Sequence, residues 1–304
     1  MNQSLSAEAL GSEPLSAWSY WVFPLTLAVG LLLTTYTARF VNPIVAAGFI
    51  SISSILFVAL LERLLPYRRD WNRSRGDLPT DLCHTLLHQI LLSRGLNILY
   101  TLILAGAAAW LAERYGSSVW PHHWPLLLQL LLMLLIAEFG RYWLHRFSHR
   151  SPWLWRLHAV HHSPDRLYVF NAGRVHTLEK VLYLIPEVVP FVLLGTNVEC
   201  LALYVTFNSI QGSFQHSNVN VRLGPLNYFF SMAELHRWHH SKIVAESDHN
   251  FGNNLSVWDW VFGTWYLPKG REVGHLGLLS DDYPQTFLSQ LRAPFHRRDL
   301  SKTE

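Results

Sequence analysis

The chain has 304 residues, of which 50% are hydrophobic and only 15% are charged. Its net charge is +3 with histidine neutral, which is too small to indicate nucleic-acid binding. The two cysteines, Cys83 and Cys200, lie far apart and predict neither a disulfide framework nor a thiolate metal site. The hydrophobic residues occur in long blocks rather than in helical stripes, which indicates that lipid surrounds much of the chain.

Four apolar blocks are each long enough to cross a bilayer as an α-helix. They cover approximately 18–36, 44–65, 90–111 and 125–144. Glu62 falls near the end of the second block, where its side chain can reach the membrane interface. The short loop that follows is basic and contains Arg63, Arg68, Arg69, Arg73 and Arg75. Short basic loops stay in the cytoplasm, so the amino terminus and the end of the fourth block are predicted to be cytoplasmic.

A weaker apolar region covers 181–214 and is interrupted by Pro186, Pro190 and Gly195. Its polar interruptions leave open whether it spans the membrane, forms a re-entrant hairpin or lies at the interface. We therefore predict an all-α, multi-pass integral membrane protein with about four transmembrane helices, further interfacial or re-entrant helices, and a cytoplasmic helical metal domain.

Four regions follow from this pattern. A polar amino-terminal tail at 1–17 precedes the transmembrane region 18–124. A histidine-rich catalytic domain covers 125–267, and a carboxyl-terminal tail covers 268–304.

Histidines are concentrated in three motifs, HRFSH at 145–149, HAVHH at 158–162 and HRWHH at 236–240. Residues three or four apart share one face of a helix, so each motif presents its imidazoles in one direction. Eight imidazoles exceed the ligand set of one ion, which is about four for zinc and about six for octahedral ions. The motifs therefore predict two metal ions, and the ligand type leaves zinc, copper, iron and nickel open. The eight histidines are His145, His149, His158, His161, His162, His236, His239 and His240.

The order HxxxH, HxxHH and HxxHH, followed by WDWVFGT, resembles the fatty acid hydroxylase and sterol desaturase superfamily. Three further segments carry the resemblance, which extends over approximately 125–267: NAGRVH at 171–176, QHSN at 215–218 and NFGNNLSVWDWVFGT at 250–264. It implies two non-haem iron ions held by the eight motif histidines, with His216 as a ninth ligand. Members that place a HxxxH pair near QHSN have a second histidine, where this chain has Gly212 and Asn220, so the coordination number stays open.

Four other residues are candidates for a further ligand or for a side chain that orients a ligand: His176, Glu138, Asn171 and Asp259. Glu138 lies seven residues before His145 in an apolar helix, where a carboxylate needs a partner. That partner is predicted to be a ligand imidazole or Arg141.

The resemblance implies an enzyme that uses dioxygen to hydroxylate or desaturate an unactivated C–H bond of a lipid. Sterol, fatty acyl, alkylglycerol and carotenoid substrates all stay open. Electrons would come from a separate donor, such as a ferredoxin, a b-type cytochrome or a reductase, because the chain has no recognisable redox domain of its own. A basic surface for this donor is predicted from Arg146, Arg150, Arg156 and Arg166.

The alternative is a non-catalytic membrane metal-binding protein, such as a zinc transporter or sensor. That class requires ionisable ligands along a transmembrane path, and Glu138 is the one such residue deep in a predicted span. Among the remaining histidines, His84 and His88 are predicted to be polar residues at the membrane interface. His122 and His123 fall in a predicted external loop.

Overall fold

The computed structural model describes residues 15–116, 119–280 and 282–296, which form helices and loops with only isolated β-bridges. A π-helical stretch, Thr85–Leu92, joins the third and fourth helices. The α-helices are α1 (Trp18–Thr37), α2 (Pro43–Leu64), α3 (Leu78–His84), α4 (Ser93–Tyr115), α5 (Leu126–Arg150), α6 (Pro152–His162), α7 (Thr177–Leu194), α8 (Val198–Gln215), α9 (Ala233–His239), α10 (Val244–Ser247), α11 (Val257–Val261) and α12 (Phe287–Arg292).

Among the described residues, four helical stretches are long and apolar enough to cross a membrane, which confirms the all-α membrane fold predicted from the four blocks. The third is longer than predicted, because α3, the π-helical stretch and α4 form one continuous helix of 38 residues. The stretches are Trp18–Thr37, Pro43–Leu64, Leu78–Tyr115 and Leu126–Arg150.

The region 181–214 forms a helical hairpin of α7 and α8, which turns at Gly195. Gly195 has a φ of 72°, a left-handed conformation that glycine adopts without a steric penalty. The turn lies beside the start of α5, since the Trp120 amide donates to the Leu194 carbonyl at 3.1 Å and Asn197 donates to Gln129 at 2.7 Å. The end of α5 that carries His145 and His149 is called the histidine end. The hairpin therefore extends from the histidine end of α5 to its opposite end, although neither helix of the hairpin is among the four candidate spans.

Glu62 is buried rather than directed to the membrane interface, contrary to the sequence-based expectation. Its carboxylate accepts the backbone amides of Val169 at 2.7 Å and Asn218 at 2.9 Å. Unpaired backbone amides are costly away from water, so this carboxylate stabilises two loops that leave the membrane region at the histidine end. It ties α2 to the segments that precede α7 and follow α8.

Residues within the predicted carboxyl-terminal tail pack onto the helical core. Val273, Leu276 and Tyr283 are buried. The segments 1–14 and 297–304, which include most of the predicted amino-terminal tail, lie outside the described residues.

His84 and His88 are fully buried, so their predicted placement at the membrane interface is wrong. His84 donates from Nε2 to Gln290 of α12 at 2.9 Å, and His88 accepts from Thr177 of α7 at 2.8 Å. Their Nδ1 atoms are 3.2 Å apart, which places one shared proton between the two rings. These histidines join three elements that are distant in the sequence, and a local pattern cannot reveal those partners.

The contact between α5 and α7 depends on Gly140. A Cβ atom at this position would lie 2.4 Å from the Cβ of Pro186 in α7. We expect Gly140→Val to destabilise the protein by about 1–3 kcal/mol through overpacking, measured as a lower thermal midpoint in detergent. Gly106→Ala is the matched control, since a Cβ there meets nothing within 4 Å. An unchanged midpoint for Gly140→Val would contradict this helix contact.

Candidate metal centre

The nine histidines expected to be ligands lie in two adjacent groups near one end of the bundle. They come from α5, α6, the end of α8 and the region of α9. Within each group, the ligand atoms all lie within 4.8 Å of one another. The first group contains His145, His149, His158, His162 and His239, and the second contains His161, His216, His236 and His240.

The Nε2 atoms of neighbouring rings approach one another closely. The Nε2 distance from His158 to His162 is 3.0 Å in the first group. In the second group, His236 lies 2.8 Å from His216 and 3.0 Å from His240. Two ligands at right angles around a metal, with bonds of about 2.1 Å, are about 3.0 Å apart. The spacing therefore fits one ion in each group.

Six of the nine rings have a hydrogen-bond acceptor at Nδ1, the nitrogen that faces away from the group. When Nδ1 carries the proton, Nε2 presents its lone pair to the common centre, which is the tautomer that binds a metal. The pairs are His145 with the Phe251 carbonyl (2.7 Å), His149 with Asp248 (3.1 Å), His158 with Glu179 (2.5 Å), His161 with the Arg174 carbonyl (3.2 Å), His216 with Asn171 (3.1 Å) and His239 with the His249 carbonyl (2.8 Å).

Burial favours the neutral form of the four imidazoles in the second group. It lowers the pKa of His161 to about 3, and it lowers the pKa values of His216, His236 and His240 well below the usual value. Neutral rings with converging lone pairs repel one another unless a cation lies between them. The charge state and the geometry of the donors therefore both fit metal ions.

Asn171 and Asp259 contact the surroundings of the histidines. The Asn171 side chain accepts from His216 at 3.1 Å and donates to the Arg166 carbonyl at 2.8 Å. Asp259 accepts the backbone amides of Phe251 at 2.7 Å and Gly252 at 2.8 Å. Burial raises the pKa of Asp259 to about 7, an effect that these amide donors oppose. Asp259 thus holds the segment whose Phe251 carbonyl accepts the proton of a histidine.

Glu138 hydrogen-bonds to neither of its two predicted partners. It accepts the Asn253 amide at 3.0 Å and the Asn254 side chain at 2.7 Å. The guanidinium of Arg141 instead pairs with Glu187 at 3.2 Å. Glu138 consequently fixes the loop that contains the carbonyl groups of His249 and Phe251, which accept hydrogen bonds from His239 and His145.

His176 lies outside both histidine groups. Its Nδ1 accepts the Leu178 amide at 3.2 Å and caps α7, while its Nε2 donates to the Leu291 carbonyl at 3.1 Å. Both ring nitrogens are therefore engaged with the backbone.

Glu179 and Asp248 contact the histidine groups directly, although sequence reasoning did not single them out. Each accepts a hydrogen bond from Nδ1 of a motif histidine. Neither lies within a histidine motif, and no spacing rule connects them to one. Their role becomes visible only when α7 and the loop after α10 pack against α5 and α6.

Arg166 does not belong to a basic docking surface, contrary to the prediction. Its side chain is buried, and it donates to the two carboxylate oxygens of Asp77 at 2.7 and 2.9 Å. Of the other three arginines, Arg150 is exposed, while Arg146 and Arg156 are partly exposed.

A model of the fatty acid hydroxylase family matches residues 130–264. Ornithine lipid hydroxylase OlsE from Rhizobium tropici is 35% identical over 285 residues, which cover 93% of this chain and 86% of that protein. The chain belongs to the fatty acid hydroxylase and sterol desaturase superfamily. The resemblance drawn from the histidine motifs is therefore confirmed.

More distant members of the superfamily match the histidine-rich half. Alkylglycerol monooxygenase from Xenopus tropicalis is 28% identical over 151 residues, covering 47% of this chain and 31% of that protein. Methylsterol monooxygenase 1 from Rattus norvegicus is 29% identical over 167 residues, covering 53% of this chain and 56% of that protein. No solved structure matches the chain. The predicted class, an oxygen-dependent membrane lipid hydroxylase, is confirmed, and the zinc transporter or sensor is not supported.

Glu179 offers a test of how the histidines are oriented. We expect Glu179→Gln to weaken metal binding by about 10- to 100-fold, because His158 loses a charged acceptor. Metal retained after dialysis against graded chelator concentrations measures the effect. Glu199→Gln, an exposed carboxylate at the start of α8, is the matched control and should retain metal like the wild type. Equal retention by all three proteins would refute a role for Glu179.

Proposed function

We propose that the two histidine groups hold a pair of iron ions with which the chain hydroxylates a lipid of the ornithine lipid class. The convergence of nine imidazoles on two centres supports the metal pair. The similarity to ornithine lipid hydroxylase OlsE over 86% of that protein supports the substrate class and favours hydroxylation over desaturation. When bound, the iron pair would supply the activation of dioxygen needed to attack an unactivated C–H bond.

In this proposal the chain holds the ions, fixes their ligands and excludes water. An octahedral ion accepts about six ligands, so each histidine group leaves room for ligands other than protein. Asn171, Glu179, Asp248 and Asp259 act as acceptors, directly or through Phe251, that orient the ligand rings. His176 serves as a helix cap rather than as a ligand.

We infer that the metal centre faces the cytoplasm. The basic loop after α2 lies at the histidine end, since the Tyr67 amide donates to the Asn218 carbonyl at 2.7 Å, two residues after His216. Short loops rich in arginine stay on the cytoplasmic side. The catalytic region is assigned to 125–267, and the membrane region that supports it to 18–124.

The iron centre is tested with purified full-length protein. We expect close to two iron ions per wild-type chain and incorporation of labelled oxygen from ¹⁸O₂ into ornithine lipid. His161→Ala should lose iron and product formation, because it removes a ligand from the second group. His123→Ala, which changes an exposed histidine outside both groups, is the control. Zinc in place of iron, with no labelled product from the wild type, would overturn the proposal.

We further propose that the electron donor docks at the corner between α5 and α6. The exposed Arg150 and the partly exposed Arg156 lie at this corner, and the guanidinium of Arg156 is 5.3 Å from the ring of Trp153. Asp248 links this region to the metal centre, because its 40% exposed side chain accepts from His149. A negatively charged donor, such as a ferredoxin, fits this surface.

Charge reversal tests the docking surface. We expect the double variant Arg150→Glu with Arg156→Glu to raise the KM for a ferredoxin donor by roughly tenfold and to make this KM less dependent on salt. Charges at the edge of an interface steer the association of the two proteins, and the double variant reverses them. Activity driven by dithionite should stay unchanged. Arg114→Glu, an exposed arginine at the end of α4, is the control. Unaltered ferredoxin kinetics in the double variant would exclude this surface.

A further inference from the structure

Arg141 is a largely buried cation within the membrane-spanning helix α5, one helical turn before His145. Its side chain is 13% exposed, and its Nε atom lies 3.2 Å from the Glu187 carboxylate of α7. Its Nη2 atom donates to the Asn253 side chain at 2.9 Å. The guanidinium also stacks on the ring of Tyr183, 3.7 Å from the ring centroid. Three residues from two elements, α7 and the loop before α11, therefore hold this side chain in one orientation.

Besides the Nε atom that faces Glu187, two buried polar groups at this position have no hydrogen-bond partner in the described part of the chain. They are Nη1 of Arg141 and the hydroxyl of Tyr204. Tyr204 is 5% exposed and interacts electrostatically with Arg141. It lies one turn before Asn208 on α8, and Asn208 accepts from Asn253, the partner of Arg141. Buried donors without acceptors are rare and costly, and ionisable residues within a membrane indicate a functional site.

The charges around Arg141 indicate which kind of acceptor fits. Glu187 already balances the guanidinium, and the carboxyl group of Glu138 lies three residues away on the same helix. An anionic ligand would add another negative charge beside these two acids in a medium of low dielectric constant. A neutral carbonyl oxygen accepts the same hydrogen bonds without adding charge.

We propose that Arg141 and Tyr204 bind an acyl carbonyl oxygen, of an ester or amide, in the lipid substrate. The inference rests on the proposed lipid hydroxylation and names the part of the substrate that the chain recognises. Both groups are donors that a carbonyl oxygen, with its two lone pairs, accepts together.

The position of Arg141 relative to the histidines restricts where the substrate reacts. Tyr183 separates the two sites, since its ring lies under the guanidinium and its hydroxyl is 3.4 Å from Nδ1 of His158. Four residues along a helix correspond to about 6 Å. We therefore expect the oxidised carbon to lie near the bound carbonyl, and not at the methyl end of an acyl chain.

A matched pair of simple probes tests the carbonyl site independently of turnover. Ethyl palmitate carries one carbonyl, and hexadecyl ethyl ether lacks it. We expect the full-length, iron-loaded protein without reductant to bind the ester roughly tenfold more tightly than the ether, measured by thermal shift titration in detergent. Tyr204→Phe and Arg141→Lys should reduce this preference to near unity. Arg141→Lys keeps a cation for Glu187, and Tyr204→Phe removes only an unpartnered hydroxyl, so both variants should fold.

The position of the product provides a second readout. With ornithine lipid as substrate, the wild type should place the hydroxyl group at one position close to a carbonyl, as determined by tandem mass spectrometry. Arg141→Lys should give a mixture of positions and a raised KM, whereas the exposed control Arg114→Met should match the wild type. Equal binding of ester and ether by the wild type, or an ester preference that survives in both variants, would overturn the inference. An ester preference without any lipid hydroxylation would instead refute the proposed function and leave the carbonyl site standing.

Discussion

Two groups of buried imidazoles with converging nitrogen atoms impose the main physical constraint on this protein. Neutral rings in this arrangement would repel one another without cations, so the proposed metal ions would couple metal binding to the folding of the surrounding loops. The protons on the outer nitrogens need acceptors, and these come from α7 and from loops that are remote in the sequence. Each ring orientation thus depends on tertiary packing as well as on the histidine itself.

Buried carboxylates on helices hold these loops in place by accepting hydrogen bonds from their backbone amides. Glu62, Glu138 and Asp259 each accept at least one backbone amide from a loop close to the histidines. Backbone amides near a membrane have little water available, and each unpaired one costs free energy. An acid on a helix satisfies these amides and also fixes the position of the loop. The same loops then present the oxygen atoms that orient the ligand rings.

The α7–α8 hairpin connects the histidine groups with the opposite end of α5. It begins at the histidine end, turns beside Trp120 at the other end of α5, and returns to His216. Its inward face carries polar groups that would be costly against lipid, including Glu187 and Tyr204. Enclosing them between helices creates a polar region beside the histidine groups, and in the proposed function this region would contact the lipid substrate.

Local geometry explains how much of this protein its sequence alone could predict. Apolar blocks of sufficient length identified the four candidate spans, and histidines three or four apart share a face on any helix, so the spacing of the motifs indicated the ligand clusters. The pairing of Glu179 with His158, the burial of His84 and the pairing of Arg166 with Asp77 had no local signature. Each depends on groups from distant segments that meet only after the helices pack. Sequence by itself determined which histidines are candidate ligands, whereas tertiary structure decided which oxygen atoms accept hydrogen bonds from them, because hydrogen bonds are short and directional.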